Sequence, residues 1–433
     1  MIKTLRNAWR IPELRKKIMF TMLILLVYRI GNVIPIPYID STTLSAYFTG
    51  LQDTILGLYN MMSGSAFSMG TVFALSIQPY INASIIVQLL TIAIPALERM
   101  AKEEGEEGKK KIEMITRIST VVLGLIMGWA YYMMVKNQAG IITDKSFMAA
   151  VVIILTFTAG SAVVMWLGEQ ITAHGIGNGI SMILFANIIS GIPQGVQLII
   201  SMFTGAAVKQ TWWQGVVAIV GVAALVIFII FVNDAERRIP VQYAKRVVGR
   251  KVYGGQNTNL PIKVSMSGVL PVIFAQSIAS LLPTIFAFTN PSGTSDNGFV
   301  QWMINISKST SWVYAVCYGL LIFFFSWFYA SIQYDPVEIA NNLKKNGGFI
   351  PGFRPGKPTA DFIKKVINKI VVFGAVYLAI VALLPIVAGN LLTSVKNLAI
   401  GGTSVIIVVG VALETVKQLE AQMMMRHYKG FLD

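Results

Sequence analysis

Residues 213–233 read WQGVVAIVGVAALVIFIIFVN, a run of twenty-one positions without one charged side chain. An α-helix needs about 20 apolar residues to cross the hydrocarbon core of a bilayer, whereas a barrel strand needs about 10. The run is therefore too long and too uniformly apolar for a strand, and it predicts a transmembrane helix. Nine further segments share this character. They are 18–34, 71–95, 118–135, 148–167, 179–203, 268–289, 312–333, 369–388 and 398–416.

The overall composition excludes a soluble globular protein. Of the 433 residues, 55% are hydrophobic and only 13% are charged, against about 25% charged residues in soluble domains. Too few polar side chains remain to cover the surface of a water-soluble fold of this size. The sequence therefore predicts an all-α polytopic membrane protein with ten transmembrane helices.

The basic residues indicate how the chain is oriented. If it crosses the membrane at every segment, 28 Lys and Arg fall in loops on one side and 5 on the other. Because cytoplasmic loops carry the excess of Lys and Arg, both termini and the long loops 234–267 and 334–368 are predicted to be cytoplasmic. Ten spans also divide into two inverted sets of five, so we predict halves at 1–205 and 206–433.

Segment 55–70 is uncharged and mostly apolar, but it is too short to cross a membrane. Two interpretations remain open from the residues alone. The segment forms an amphipathic surface helix, or it forms a half-helix that folds into the bundle and closes it. Backbone at membrane depth that does not span must be buried in protein or line a cavity.

Two spans, 71–95 and 268–289, carry polar side chains that would be costly in lipid. Pro79 is expected to bend the first of them. These side chains either form hydrogen bonds between helices or flank an aqueous path. The polar positions are Gln78, Asn82, Ser84 and Gln88 in the first span and Gln276, Ser280 and Thr284 in the second.

Features of other function classes are missing from the sequence. Arg29 is the only clear charge deep in a span, and we expect it to snorkel toward the outer headgroups. No intramembrane chain of Asp, Glu or His exists, which favours a passive pore over an ion-coupled transporter. Residues 352–359 (GFRPGKPT) approach a nucleotide-binding loop, but Pro358 stands where Ser or Thr would hold magnesium. We therefore predict no enzymatic activity, no cofactor and no metal site.

Several long motifs resemble one known family, in the right order and almost from end to end. In these motifs the chain is similar to the bacterial SecY family, the central channel of the Sec translocon. The motifs are PELRKKIMFT (12–21), PYINASIIVQLL (79–90), WLGEQITAHGIGNGIS (166–181), ERRIPVQYAKR (236–246), NLPIKVSMSGVLPVIF (259–274), FIPGFRPGKPT (349–359) and GGTSVIIVV (401–409).

The resemblance implies a clamshell of two halves around an hourglass pore, and it assigns four sets of residues. The pore ring would be Ile81, Ile85, Leu184, Ile273 and Ile407. Segment 55–70 would be the plug segment, with Asn60, Met61, Met62, Ser63, Gly64, Ser65, Ala66 and Phe67 as its functional part. A lateral gate between the second and seventh spans would include Asn82, Gln88, Gln276 and Ser280. Partner docking would use Arg237, Arg238, Arg246, Arg250 and Arg354.

The function implied by the resemblance is passage of unfolded secretory polypeptides across the bacterial plasma membrane, with lateral release of transmembrane segments into membrane lipid. The implied partners are SecE and SecG, the SecA motor, the ribosome, and signal sequences and nascent polypeptides. The chain departs from the family pattern at Tyr38 and Ser65, where glycine is frequent. Two rival functions remain, a secondary transporter of a small solute and a membrane scaffold without a conduit.

Overall fold

The computed structural model describes residues 2–49, 55–102, 104–136, 138, 140–204, 212–243, 246–248, 251–253, 257–265, 268–289, 311–391 and 402–429. Helices account for most of this part of the chain. They are α1 (Ile2–Arg10), α2 (Pro12–Gly31), α3 (Ser41–Thr49), α4 (Ile55–Met62), α5 (Ala66–Met69), α6 (Gln78–Ala93), α7 (Pro95–Lys102), α8 (Gly105–Lys136), α9 (Phe147–His174), α10 (Gly179–Thr204), α11 (Trp212–Asp234), α12 (Leu270–Thr289), α13 (Trp312–Gln333), α14 (Pro336–Lys345), α15 (Lys357–Leu391) and α16 (Gly402–Lys429). The strands are β1 (Glu236–Tyr243), β2 (Arg246–Val248), β3 (Lys251–Tyr253), β4 (Asn257–Lys263) and β5 (Gly348–Phe349).

A helix occupies each of the ten predicted segments, which confirms the helical class. Within the described residues, six helices are long and apolar enough to cross a membrane: α8, α9, α10, α11, α13 and α15. The bent pair α6–α7 would make a seventh. The apolar part of α2 is shorter because Lys17 precedes it and Arg29 lies near its end. The total of ten spans therefore stays a prediction.

The second predicted span differs from the expectation in its shape. Residues 71–77 form turns, and α6 begins at Gln78 with Pro79 in its first turn. Backbone N–H groups in the first turn of a helix have no acceptor inside the helix, so a proline there loses no hydrogen bond. Pro79 therefore starts the helix and does not bend it. The expected bend at Pro79 is wrong. The bend lies at Pro95, where α6 ends and α7 continues at 106°, because the residue before a proline avoids the helical conformation.

The main hydrophobic core joins residues from both predicted halves of the chain. Its largest fully buried side chains include Tyr28, Phe157 and Leu184. Residues 71–77 approach α9 closely at Gly160, where an added Cβ would overlap the carbonyl oxygen of Val72. This contact places the turn that leads into α6.

The basic loop 234–267 contributes two strands, and loop 334–368 a third, to a small antiparallel sheet that the sequence analysis did not predict. Strand β1 pairs with β4 along one edge and with β5 along the other. Ile239, Val241 and Ile262 are buried on the sheet and form a second core with Ile363 and Ile367 of α15. The sheet therefore gives this basic loop a packed base on α15.

The close approach at Gly160 makes a specific prediction about stability. Gly160→Ala should lower the thermal unfolding temperature, because main-chain atoms of Val72 must move, and overpacking costs about 1–3 kcal/mol. Gly221→Ala is the matched control, since no atom lies within 4 Å of an added Cβ at that position of α11. Alanine is the better helix former, so the control should be neutral or slightly stabilising. Equal unfolding temperatures for the two variants would contradict the close approach.

Candidate functional site

Helices α4 and α5 fold into the bundle and lie against other helices. Helix α4 contacts α10 and α12, while α5 contacts α3. Leu56, Tyr59, Met62 and Phe67 are all buried in the main core. An amphipathic surface helix would leave one face exposed, so the interpretation of a half-helix inside the bundle is the one that fits.

The turn between α4 and α5 is crowded by polar groups. Gly64 has φ of +65°, and an added Cβ would lie 2.7 Å from Arg29 Nη1 and 3.0 Å from Asn187 Oδ1. The Arg29 guanidinium therefore reaches the turn of the plug segment, and its snorkelling toward the outer headgroups stays a prediction. Asn32 Nδ2 donates a hydrogen bond to the carbonyl oxygen of Ser63 at 3.3 Å. The only deep charge of the predicted spans is thus placed beside this turn.

Two positions where the family frequently has glycine adopt conformations that favour glycine. Ser65 has φ of +70° and Tyr38 has φ of +69°. The left-handed region costs a residue with a side chain roughly 1–2 kcal/mol. The chain therefore keeps the backbone path that glycine allows, at some cost in strain.

Asn187 of α10 is fully buried and connects three parts of the chain. Its Nδ2 carries two N–H donors, and three oxygens share them: Tyr28 Oη at 2.8 Å, the carbonyl oxygen of Met62 at 2.8 Å, and Ser76 Oγ at 3.2 Å. Tyr28 Oη and Ser76 Oγ also lie 2.9 Å apart and share a hydrogen bond. The sequence analysis missed Asn187, although its amide in an apolar span, one turn from Leu184, was a usable signal.

Aromatic rings hold α5 from the other side. The ring of Phe67 meets the rings of Phe48 and Tyr131 edge to face at 5.2 and 4.9 Å between centroids. Tyr131 meets Phe157 in the same way at 4.7 Å, and its hydroxyl donates to the carbonyl oxygen of Phe67 at 2.8 Å. Helix α5 is therefore held by α3 and α8, and Tyr131 of α8 is in turn packed against α9.

The five residues assigned to the pore ring come from four helices, α6, α10, α12 and α16. All five lie in the same hydrophobic cluster, and none is more than 4% exposed. Their aliphatic side chains offer neither charge nor hydrogen-bonding groups. They are Ile81, Ile85, Leu184, Ile273 and Ile407.

Each of the four ring helices also carries a polar side chain three residues from a ring residue. We call this set the polar collar, and every member contacts Met61 or Met62 of the plug segment. The pairs are Gln78 with Ile81, Asn187 with Leu184, Gln276 with Ile273, and Ser404 with Ile407. The collar residue precedes the ring residue on α6 and α16 but follows it on α10 and α12. Because all four meet the same two methionines, α6 and α16 run opposite to α10 and α12.

The predicted lateral gate corresponds to α6 and α12, which lie against each other. Asn82 of α6 and Gln276 of α12 are buried, whereas Gln88 is exposed. The side chain of Ser280 lies outside the described part of the chain.

The predicted docking residues belong to the basic loops 234–267 and 334–368. Arg237 and Arg238 are exposed on β1, and Arg238 Nε lies 3.9 Å from the carboxylate of Glu236. Arg354 is exposed in the loop that leads into α15. The side chain of Arg246 and the whole of Arg250 lie outside the described residues.

Comparisons with known proteins agree on one family. The SecY family matches residues 71–416. The protein translocase subunit SecY of Streptomyces galbus is 42% identical over 446 residues, covering all of both chains. A solved structure described as a protein-conducting channel has a TM-score of 0.69 at 18% identity, covering 94% of this chain and 92% of the other. Sec61 in the canine ribosome-channel complex has a TM-score of 0.63 at 16% identity, covering 94% and 92%. At such identities the two structures show the fold alone.

The contacts of Asn187 predict what happens when its amide is removed. In Asn187→Leu the Met62 carbonyl and two hydroxyls lose a buried donor, which costs about 1–3 kcal/mol. The thermal unfolding temperature should fall, and a cysteine at the buried Ser63 should react faster with a maleimide. The labelling requires Cys317→Ser, since Cys317 is the one native cysteine and is exposed. Asn341→Leu, on the exposed side of α14, is the control, and labelling rates that matched it would contradict the role of Asn187.

Proposed function

Because the chain belongs to the SecY family, we propose that it is the channel subunit of a bacterial protein translocase, a multi-pass membrane protein that conducts unfolded polypeptides. The observation that carries this proposal is that the four helices with the assigned ring residues each also place a polar side chain against Met61 or Met62 of the buried plug segment. The name of the Streptomyces galbus relative supports a transport role and not a catalytic one.

The chemistry of the ring suits a pore for polypeptides. When closed, a constriction of isoleucine and leucine side chains excludes water and therefore ions. When open, it holds nothing in place, because aliphatic groups form no hydrogen bond or ion pair with a passing chain. A site for a small solute would instead need convergent polar groups at the same place.

The gate and the plug segment give the pore two exits. Displacing the plug segment opens the path across the membrane. Parting α6 from α12 opens a path into lipid, which an apolar segment enters because burying its side chains away from water is favourable. Secretory chains would use the first exit and transmembrane segments the second.

The opposite directions of the collar helices support the arrangement of the two halves, 1–205 and 206–433. An alternating chain of ten spans sends its second and tenth helices one way and its fifth and seventh the other. With the excess of Lys and Arg inside, both termini would be cytoplasmic. The collar and the plug segment would then lie on the outer side of the ring.

Two features of the sequence suggest partners. It contains no nucleotide-binding motif that could supply energy, and its long loops are basic. We propose that SecE and SecG complete the complex, as the word subunit in the relative's name suggests. SecA or a ribosome would supply the force, and the canine Sec61 neighbour was solved with a ribosome. Arg237, Arg238 and Arg354 would meet acidic side chains or RNA phosphates, and Arg246 and Arg250 would extend this surface.

Cross-linking tests the conduit directly. In a Cys317→Ser background, a cysteine replacing Ile85 or Ile273 should cross-link to a secretory chain stalled during export, because the chain must pass the ring. A cysteine replacing Ile227, which is 68% exposed on α11, is the lipid-facing control. Cross-links from Ile227 but not from the ring positions would contradict the proposal. Saturable uptake of a small solute in vesicles would favour a coupled transporter.

Deleting residues 60–70 tests the closed state. The deletion removes the helix turn that fills the space above the ring, so the resting ion conductance of vesicles should rise while export continues. An unchanged conductance would refute a sealing role of the plug segment. Unchanged conductance and unchanged export after polar substitutions of the ring would favour a scaffold without a conduit.

A further inference from the structure

One sulfur atom of the plug segment is shared by the two gate helices. Gln78 Nε2 of α6 donates to Met62 Sδ at 3.1 Å, and Gln276 Nε2 of α12 donates to the same sulfur at 3.4 Å. All three side chains are buried, at 4%, 5% and 6% exposed for Gln78, Gln276 and Met62. The two amides therefore face each other across the gate with Met62 between them.

The sulfur is a weak acceptor, and this limits how strongly the amides are held. A thioether accepts hydrogen bonds less well than a carbonyl or hydroxyl oxygen. A buried amide without a partner is nevertheless costly, so even a weak acceptor is better than none. Within the described residues Gln276 Oε1 has no hydrogen-bond partner, which leaves Met62 as the polar contact of that side chain.

We propose that Met62 couples the plug segment to the lateral gate, and that the strength of the acceptor at position 62 sets the balance between the closed and open channel. Separating α6 from α12 takes at least one amide away from the sulfur. Displacing the plug segment takes the sulfur away from both amides. Either movement therefore weakens the contact that opposes the other. This inference rests on the proposed channel function and names the residue that regulates it.

Two nearly isosteric substitutions should act in opposite directions. Met62→Leu keeps the apolar volume and removes the acceptor, so resting ion conductance and export of a precursor with a weakened signal sequence should rise. Met62→Gln supplies a carbonyl oxygen, a stronger acceptor, so both should fall. The expected change is about three- to ten-fold in each direction, the population shift expected from one neutral hydrogen bond.

The donors give an independent test. Gln276→Leu should resemble Met62→Leu, and the double variant should leak no more than the stronger single variant, because both remove the same contact. Met69→Leu and Met69→Gln are the controls, since Met69 lies in the same segment but is exposed. Thermal unfolding and gel filtration of each purified variant show whether it is folded before conductance is compared.

The outcomes separate this inference from the proposed function. A role of Met62 in packing alone predicts that Met62→Leu is silent or that both Met62 variants shift conductance the same way, and either result overturns the coupling. Additive effects of Met62→Leu and Gln276→Leu overturn it as well. Vesicles of the unmodified protein with its partners that export no precursor at all would refute the channel function itself.

Discussion

A backbone turn inside a membrane bundle must find its hydrogen bonds in the protein, because lipid offers none. The turn between α4 and α5 is such a case, and much of the site exists to satisfy it. Three side chains donate hydrogen bonds to its carbonyl oxygens: Asn187 to that of Met62, Asn32 to that of Ser63, and Tyr131 to that of Phe67. These side chains are polar groups in otherwise apolar surroundings because the turn would be unstable without them.

The same requirement explains the layered order of the pore. The ring is purely aliphatic, and the collar one turn away is purely polar but uncharged. A charged collar would attract ions and raise the free-energy cost of placing the apolar plug segment beside it. Neutral amides, a hydroxyl and thioethers instead form weak contacts that break easily. The channel thus separates two tasks along its axis. In the proposed channel, the aliphatic layer would exclude water, and the collar would hold the plug segment through its contacts with Met61 and Met62.

The helical class and most segment positions could be predicted from the sequence, because long uncharged runs have few alternatives in a bilayer. The five ring residues were located by resemblance, and the structure places them in one cluster. The sequence analysis assigned the bend to Pro79, although it lies at Pro95. A proline bends a helix only when the residues before it are helical, and residues 71–77 form turns. The sheet was missed because β1 contains Pro240 and pairs with residues on a separate stretch of the loop. The directions of Arg29 and Asn187 depend on which neighbours surround their helices, which hydropathy does not specify.

The two ends of the plug segment are held by unequal bonds. Phe67 is fixed by edge-to-face rings on α3 and α8 and by a hydroxyl hydrogen bond from α8. The side chains of Met61 and Met62 depend on thioether contacts with Ser404, Gln78 and Gln276. In the proposed channel, we expect a chain that enters the ring to release the methionine side chains first, with the segment pivoting about Phe67. The displaced segment would stay covalently tethered at high local concentration beside its binding position, so we expect the proposed pore to reclose without energy input.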